Sequence, residues 1–399
     1  MMKHTLPASA CAMLLMLFSA NTLCAQSSMK ALERASQIVE DVRAAHAPDK
    51  RQAIYEIKAY NDPDGGLTIG GKTSEAAARG ALVALMNTSG DDWTDRIEVL
   101  PDTIWAQPRI SVACLRTGPS HAAEMATQAI MGMPLRVLES QGEWTRVQTP
   151  DGYIAWVTNS SIEPKTDAQM REWRSARRYV VTAPYQTHAY TSAKATGLRD
   201  VVTDLVNGNI VEAVTDRRGT VSDGRVQVKL PDGRTGFVPV SDLTPIEVWA
   251  DQNFNPEKIL DTAYSMEGTP YLWGGTSIKS LDCSGLAKVS YLANGIILMR
   301  DASQQAKTGT RIEAKDWKDC RAGDLLFFGN AKTGKVTHVA IYDHDGKYVH
   351  SSGRVKRNSV DPEDPSYLST PFLHAVRIAG NEETPGIRRA RNHPWYFQL

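Results

Sequence analysis

One cysteine of this sequence stands where its sulfur could act as a nucleophile. Cys283 lies in the stretch "YLWGGTSIKSLDCSGLAK", at the start of a run that predicts a helix, "DCSGLAKVSYLANG". Unpaired N–H groups and the helix dipole at such a position favour the thiolate, which is the nucleophilic form of cysteine. The residues alone leave other roles open, because a lone cysteine is often core filler and can also form a disulfide or bind a metal.

A cysteine nucleophile needs a base, and two histidines are placed to supply one. His338 begins the strand-like run "THVAIY" and His350 ends the run "KYVHSS", with the hairpin turn "DHDGK" between them. Pairing the strands around this turn puts both histidines at the same end of the hairpin. One could accept the thiol proton while the other orients its ring, as an acid or amide does in other triads. A metal pair near Asp343 and His344, or two surface residues, are the alternatives, and spacing alone does not bring Cys283 to them.

The elements around these residues predict an α+β domain over residues 250–382. Two helix-like runs come first, and the strand-like runs "AGDLLFFG", "THVAIYDHDGKYVHSS" and "HAVRI" follow. Helices followed by an antiparallel sheet are typical of this fold class. Residues 383–399 are expected to form a C-terminal tail.

Two β-rich stretches upstream look like repeats of one another. "GEWTRVQTPDGYIAWVTNSSI" and "DGRVQVKLPDGRTGFVPVSDL" both consist of a strand, a "PDG" turn and a strand, with Trp156 matching Phe237. This pattern is typical of a small barrel, and the stretches resemble bacterial SH3-like domains at residues 101–165 and 178–246. The run "KTDAQMREWRSARRY" between them predicts a helical linker, and residues 26–100 predict a short N-terminal α/β segment without a chemical constellation.

The first 25 residues are typical of a signal peptide. Lys3 and His4 precede an apolar run too short to span a bilayer, and Ala25 stands at a plausible cleavage position. Anchoring as a lipoprotein through Cys24 is the alternative, although Thr22 and Leu23 stand where small residues are usual. We therefore expect an exported, periplasmic protein.

Export makes the cysteine count informative. Cys114, Cys283 and Cys320 follow the signal, so at least one thiol is expected to be unpaired. No CxxC pair is present, which disfavours a cysteine-rich zinc site. The net charge of zero gives no general argument for binding nucleic acid or an anionic membrane.

Five segments together carry a resemblance to a known family. In chain order, "TPYLWGGTSIKSLDCSGL", "RDASQQ", "AGDLLFFG", "THVAIY" and "YVHSS" resemble the NlpC-type papain-like cell-wall peptidases over residues 255–380. The resemblance implies a cysteine peptidase without cofactor or metal, in which Cys283 is the nucleophile, His338 the base and His350 the orienting residue. It also implies that the Tyr271 hydroxyl helps the Cys283 N–H to bind the oxyanion. A rim aromatic is the alternative for Tyr271.

With SH3-like domains in front, the chain resembles the γ-D-glutamyl-L-diamino-acid endopeptidases of the dipeptidyl-peptidase VI type. These enzymes cut between D-glutamate and the diamino acid of cell-wall stem peptides with a free N-terminal L-alanine. The resemblance implies that Asp301 binds the amine and that Glu124 and Tyr153, from the first SH3-like domain, close the pocket. The residues expected to line the remainder are Trp273, Asp282, Ser284 and Ser303, with Ala302 standing where some members carry Ser.

The residues by themselves leave blander roles open for this pocket. Glu124 could be a solvated loop charge, Tyr153 could pack inside its barrel, and Asp282 could simply cap the catalytic helix. A broad peptidoglycan hydrolase, tethered to the wall by its SH3-like domains, is the main alternative function. An acyltransferase or amidase with the same Cys–His–His set, and an inactive scaffold, are further alternatives. The expected partners are peptidoglycan-derived peptides, with no nucleic acid and no membrane span, and the expected state is a monomer.

Overall fold

A computed structural model describes residues 8–214 and 221–398, with side chains from residue 26 onward. The signal-peptide prediction for residues 1–25 therefore lies outside the described side chains. The chain divides into two compact units, Met1–Asp102 and Thr103–Leu399.

The first unit is a three-stranded sheet with two helices. Its elements are α1 (Ala8–His46), β1 (Tyr55–Asn61), β2 (Leu67–Thr73), α2 (Ala76–Thr88) and β3 (Trp93–Val99). Strands β1 and β2 are antiparallel, whereas β2 and β3 are parallel because α2 connects them as a crossover. Val39, Ile69 and Leu82 are buried in its core. Among the described residues, no helix combines the length and apolar character needed to cross a membrane.

The second unit begins with two barrels of identical strand order. The strands of the first barrel are β4 (Trp105–Pro108), β5 (Val112–Arg116), β6 (Met125–Ile130), β7 (Leu135–Gln141), β8 (Trp144–Gln148), β9 (Ile154–Thr158) and β10 (Ile162–Lys165). After helix α3 (Asp167–Ser175), those of the second barrel are β11 (Arg178–Val181), β12 (Gln186–Tyr190), β13 (Val201–Val206), β14 (Ile210–Ala213), β15 (Val221–Ser222), β16 (Arg225–Lys229), β17 (Thr235–Pro239) and β18 (Leu243–Pro245).

The two barrels share their pairing. The first has the order β10-β4-β7-β8-β9-β5-β6, and the second has β18-β11-β14-β16-β17-β12-β13 with β15 added beside β16. Trp156 of the first pairs with Arg116, and Phe237 of the second pairs with Tyr190, at equivalent positions. The match of Trp156 with Phe237 in the sequence therefore corresponds to one structural position.

The C-terminal part is an α+β domain, as the sequence predicts. Its helices are α4 (Ile246–Ala250), α5 (Pro256–Ser265), α6 (Cys283–Leu292) and α7 (Ala302–Gln305). Its strands are β19 (Thr276–Ser277), β20 (Ser280–Leu281), β21 (Ile296–Leu298), β22 (Thr310–Glu313), β23 (Leu325–Gly329), β24 (Val336–Tyr342), β25 (Lys347–Ser352), β26 (Arg354–Ser359), β27 (Phe372–Arg377) and β28 (Ile387–Arg389). Six of them form one antiparallel sheet in the order β22-β27-β23-β24-β25-β26. Leu286 of α6 and Val339 and Val349 of the sheet are buried in one core.

The segment after this sheet is part of the folded unit. Strand β28 pairs with β21, and Tyr396 and Phe397 are buried beside Trp249. The guanidinium of the fully buried Arg178, in the second barrel, donates to the Tyr396 carbonyl at 2.8 Å. The aromatic side chains of the expected C-terminal tail, residues 383–399, thus fill a core shared with the second barrel.

Cys114, Cys283 and Cys320 are all free thiols. Cys283 and Cys320 are buried, but Cys114 on β5 is exposed. Cys114 faces outward because alternate residues of a strand point to opposite faces and its neighbours Ala113 and Leu115 take the inner one.

Candidate active site

The nucleophile's helix begins in a tightly packed corner. Asp282 caps α6 by accepting from the Gly285 N–H at 2.7 Å. A Cβ on Gly285 would come within 1.9 Å of the Gly275 carbonyl oxygen, so only glycine allows the two segments to touch. The "WGG" and "DCSG" motifs thus interlock and fix where α6 starts.

The Cys283 thiol lies at the first position of α6 and is 9 % exposed. The backbone N–H groups of Ser284 and Val339 donate to its sulfur, which places the thiol against the strand that carries His338. Burial outweighs these donors and raises the pKa of Cys283 to about 11. Deprotonation of this buried thiol therefore depends on the neighbouring base, which accepts the proton during attack.

The two histidines meet as the hairpin predicts. Strands β24 and β25 join through a turn in which Asp345 and Gly346 have φ values of 49° and 78°, as a two-residue hairpin turn requires. Nε2 of His338 lies 2.7 Å from Nδ1 of His350. Burial lowers the pKa of each imidazole to about 4, so both rings are neutral near pH 7.

A further residue stands behind the histidine pair. Oδ1 of Asn358, on β26, lies 3.0 Å from Nε2 of His350. Its Nδ2 donates to the Ser366 carbonyl at 2.7 Å. Sequence reasoning missed Asn358, because no motif marks it and only the pairing of β26 with β25 brings it to His350.

Tyr271 lies near the sulfur. It is half-buried, and burial, with Cys283 and Asp282 close by, raises the pKa of its hydroxyl to about 12. The hydroxyl therefore keeps its proton at neutral pH and can donate a hydrogen bond to a developing oxyanion.

Asp282 and Ser284 form a buried network with a residue that sequence reasoning missed. Nη2 of Arg300 lies 2.5 Å from the Asp282 carboxylate, and Nη1 donates to Ser284 Oγ at 2.9 Å. Asp282 also accepts from the Gly274 N–H at 3.0 Å. These bonds give Asp282 and Ser284 a role in positioning the helix, and their contact with substrate stays a prediction. Arg300 is the first residue of the recognised motif "RDASQQ", where a role for it could have been sought.

Arg300 also reaches into the first barrel. Its Nε donates to the Ala126 carbonyl of β6 at 3.1 Å, and its guanidinium is only 2 % exposed. Asp301 and the Tyr153 hydroxyl both lie near the Arg300 guanidinium. A barrel residue and a peptidase-domain residue of the predicted pocket therefore share one neighbour.

The structure places the remaining predicted pocket residues on α7, in the loop before α6 and at the edge of the first barrel. Ser303 is half-buried on α7 and Trp273 is 61 % exposed in the loop before α6. Glu124 is exposed and directly precedes Met125, whose carbonyl packs against Gly274. Glu124 thus lies beside the loop of Trp273.

Two buried contacts join the first barrel to the peptidase domain. Lys288, in the middle of α6, lies 2.5 Å from the carboxylate of Asp151 in the barrel's "PDG" turn, with side-chain exposures of 8 % and 1 %. Gln128 donates its N–H to Thr276 Oγ1 at 3.0 Å and accepts from the Thr276 N–H at 2.9 Å. The single charged residue of an otherwise uncharged helix was a signal for the first contact that the sequence reasoning did not use.

Metal binding finds no support in this geometry. Within the part of the chain that the structure describes, no three His, Cys, Asp or Glu side chains are grouped to hold a metal ion. His344 pairs instead with Asp343, away from the histidine pair.

Comparison with known families finds two matches along the chain. Residues 268–377 match the NlpC/P60 family, and residues 115–162 match the bacterial dipeptidyl-peptidase Sh3 domain. The two matches contain the triad residues and Tyr153.

Curated relatives are similar in sequence over most of their own length. Dipeptidyl-peptidase 6 of Lysinibacillus sphaericus is 30 % identical over 266 residues, which cover 64 % of this chain and 92 % of the relative. The γ-D-glutamyl-L-lysine dipeptidyl-peptidase of Bacillus subtilis strain 168 is 29 % identical over 56 % of this chain and 71 % of its own.

A solved structure supports the fold. The crystal structure of an NlpC/P60 family protein from Bacillus cereus ATCC 10987 superposes with a TM-score of 0.58 at 20 % identity, covering 69 % of this chain and 99 % of that one.

Proposed function

Because the chain belongs to the NlpC/P60 family and is a cysteine peptidase, we propose that it hydrolyses the γ-D-glutamyl bond to the diamino acid of cell-wall stem peptides. The substrate carries a free N-terminal L-alanine. The names of the relatives, which include γ-D-glutamyl-L-lysine dipeptidyl-peptidases, support this substrate class.

The observation that carries the proposal is the buried junction between the first barrel and α6. Arg300 and Lys288 are both buried charges whose partners include barrel groups, the Ala126 carbonyl and Asp151. A tethering module on a flexible linker would not bury ion pairs against the catalytic helix, because a charge removed from water has to keep its partner. The barrel therefore acts as one wall of the substrate site, which favours a closed pocket over the broad, wall-tethered hydrolase.

The pocket has the charge that a free amine requires. Asp301 and Tyr153 both lie near the Arg300 guanidinium, and Glu124 lies on the barrel edge beside the loop of Trp273. A substrate ammonium taken out of water needs a carboxylate partner, which Asp301 supplies in this proposal. Tyr153 and Glu124 then block extension of the peptide beyond the alanine. An acyl-chain substrate would instead favour an apolar groove.

The chemistry follows from the atoms around the sulfur. His338 accepts the thiol proton as Cys283 Sγ attacks the amide carbonyl carbon, forming a C–S bond and an oxyanion. The Cys283 N–H has no i−4 carbonyl partner at the first helical position and is available to the oxyanion, together with the Tyr271 hydroxyl.

Collapse of this intermediate breaks the C–N bond. His338 returns its proton to the leaving amino group of the diamino acid, and a thioester remains on Cys283. Water, deprotonated by His338, then attacks the thioester carbonyl. The L-Ala-γ-D-Glu acid leaves, and the proton returns to the sulfur.

The proposed setting is the periplasm, reached through a signal at residues 1–25. In that setting the diamino acid is diaminopimelate, and the enzyme acts as a monomer on released peptides.

The test compares L-Ala-γ-D-Glu-diaminopimelate with its N-acetylated form, with Cys283→Ala as the blank. We expect release of diaminopimelate from the free-amine peptide only. Asp301→Asn keeps the size of the side chain but removes its charge, so it should raise KM strongly for the free amine. The lysine-containing tripeptide in parallel reports which diamino acid is preferred.

Two results would contradict the proposal. Equal cleavage of both peptides would remove the ammonium pocket, and solubilisation of intact sacculi at a comparable rate would favour the broad hydrolase. Asp261→Asn is the matched control, because it makes the same change of charge at an exposed acid of α5.

A further inference from the structure

The Asn358 amide has only one orientation compatible with its surroundings. Its Nδ2 lies 2.7 Å from the backbone carbonyl of Ser366, which can only accept a hydrogen bond. The amino group must therefore face Ser366, and the carbonyl oxygen Oδ1 must face His350. The Ser366 side chain and N–H bond in turn to Asp364, at 2.6 and 2.7 Å, which holds this loop in place.

The orientation of Asn358 fixes the proton on His350. Oδ1 accepts, so Nε2 of His350, 3.0 Å away, carries a hydrogen. In a neutral imidazole the other nitrogen is then an acceptor. Nδ1 of His350 is thus left with a lone pair that points at His338.

The tautomer of His350 in turn determines that of the base, His338. Nε2 of His338 lies 2.7 Å from Nδ1 of His350 and must donate to it. Nδ1 of His338 consequently carries the lone pair. The N–H of the next residue, Val339, already donates to the Cys283 sulfur, so the free nitrogen of His338 is on the residue adjoining the thiol's own donor.

We propose that Asn358 is a positioning residue of this peptidase, which sets the tautomer of His350 and through it leaves Nδ1 of His338 free to accept the Cys283 proton. Burial keeps both rings neutral, and Lys356, paired with His350 across the strands, adds a positive charge that disfavours their protonation. The proposal depends on the catalytic residues and not on the substrate, so it stands or falls separately from the substrate assay.

The test uses full-length protein with Asn358→Leu and Asn358→Asp. Leucine matches the asparagine in size but cannot accept a hydrogen bond from Nε2 of His350, whereas aspartate can. The control is Asn294→Leu, which removes another buried asparagine, one that donates to the Ser290 carbonyl at 2.9 Å at the far end of α6.

Two readouts do not need a substrate. Nitrogen-15 NMR of histidine distinguishes Nε2–H from Nδ1–H rings, and we expect both His338 and His350 as Nε2–H in the wild type, Asn358→Asp and the control. Alkylation of Cys283 by iodoacetamide at pH 7 should slow about tenfold or more in Asn358→Leu, as loss of about one hydrogen bond's free energy implies. Peptide mapping follows each thiol, and the exposed Cys114 gives the internal reference rate.

Asn358→Asp keeps the test decisive if the leucine variant does not fold. Its carboxylate should raise the pKa of His350 and His338, so the acid limb of Cys283 alkylation should move to higher pH. Unchanged tautomers and alkylation in Asn358→Leu, or an unmoved acid limb in Asn358→Asp, would overturn the proposal. Loss of Cys283 reactivity with the tautomers intact would also overturn it, because that is the mark of a merely structural role.

Discussion

Arg300 offers the sharpest perturbation, because one side chain joins the nucleophile's helix to the first barrel. In Arg300→Met the side chain keeps a similar length but loses its charge. The Asp282 carboxylate, 7 % exposed, would then remain buried without its cation, and the Ser284 hydroxyl and Ala126 carbonyl would each lose a donor.

The structure gives the size of this effect. Breaking a buried ion pair by removing one partner costs about 3–5 kcal/mol, since the remaining charge stays desolvated. In Arg300→Lys the charge remains, but one ammonium cannot reach all the acceptors, so about 1–3 kcal/mol should be lost for the unsatisfied groups. The order of stability is therefore wild type, Arg300→Lys, Arg300→Met.

Urea denaturation of the variants measures the change in the free energy of unfolding. Asp282→Asn and the double variant Arg300→Met/Asp282→Asn complete a cycle, in which the double variant should be less destabilised than the sum of the single ones. An exposed ion pair contributes less than about 1 kcal/mol. A loss of unfolding free energy below that value in Arg300→Met would refute the reasoning and show that other contacts hold the barrel against α6.

Three further predictions follow from the site. Because burial lowers the pKa of His338 to about 4, and the base must be unprotonated, kcat/KM should fall only as the pH drops toward 4; an acid limb at pH 6.5 would contradict this. Lys288→Met should destabilise the protein by about 3–5 kcal/mol, because the buried Asp151 carboxylate loses its cation. It should also raise KM, because the turn that carries both Asp151 and Tyr153 loses this contact with α6. The exposed Lys332→Met should change neither stability nor KM. Cys114 should react with iodoacetamide much faster than Cys320, whose burial raises the pKa of the thiol to about 12; comparable rates, followed by peptide mapping, would show that Cys320 is accessible.

The parts of the site that sequence reasoning found are those held by local structure. A cysteine at a predicted helix start and two histidines on a tight hairpin need only a helix boundary and one turn to be placed. The α+β class and the barrels before it are confirmed for the same reason, since short strands and Gly/Asp turns fix them locally.

The parts it missed depend on partners far away in the chain. Arg300 contacts Ala126 across 174 positions and Lys288 contacts Asp151 across a similar gap, and neither separation leaves a periodic signal. Asn358 is close in sequence to His350, but its role depends on strand register and on the Ser366 carbonyl. The thiol's raised pKa was missed because the helix-dipole argument contained no account of burial.

The aspartates of the two "PDG" turns occupy equivalent positions but pair with different cations. Asp151 of the first turn pairs with Lys288 of the catalytic helix, while Asp232 of the second pairs with Arg109 of the first barrel at 3.3 Å. The second barrel therefore contacts the first through its turn, and the first barrel contacts the nucleophile's helix through the equivalent turn. A truncated chain holding only the residues that match the peptidase family would carry Lys288, Arg300 and Thr276 into water or leave them unpaired. Joining this catalytic domain to other modules would therefore need compensating changes at these three residues.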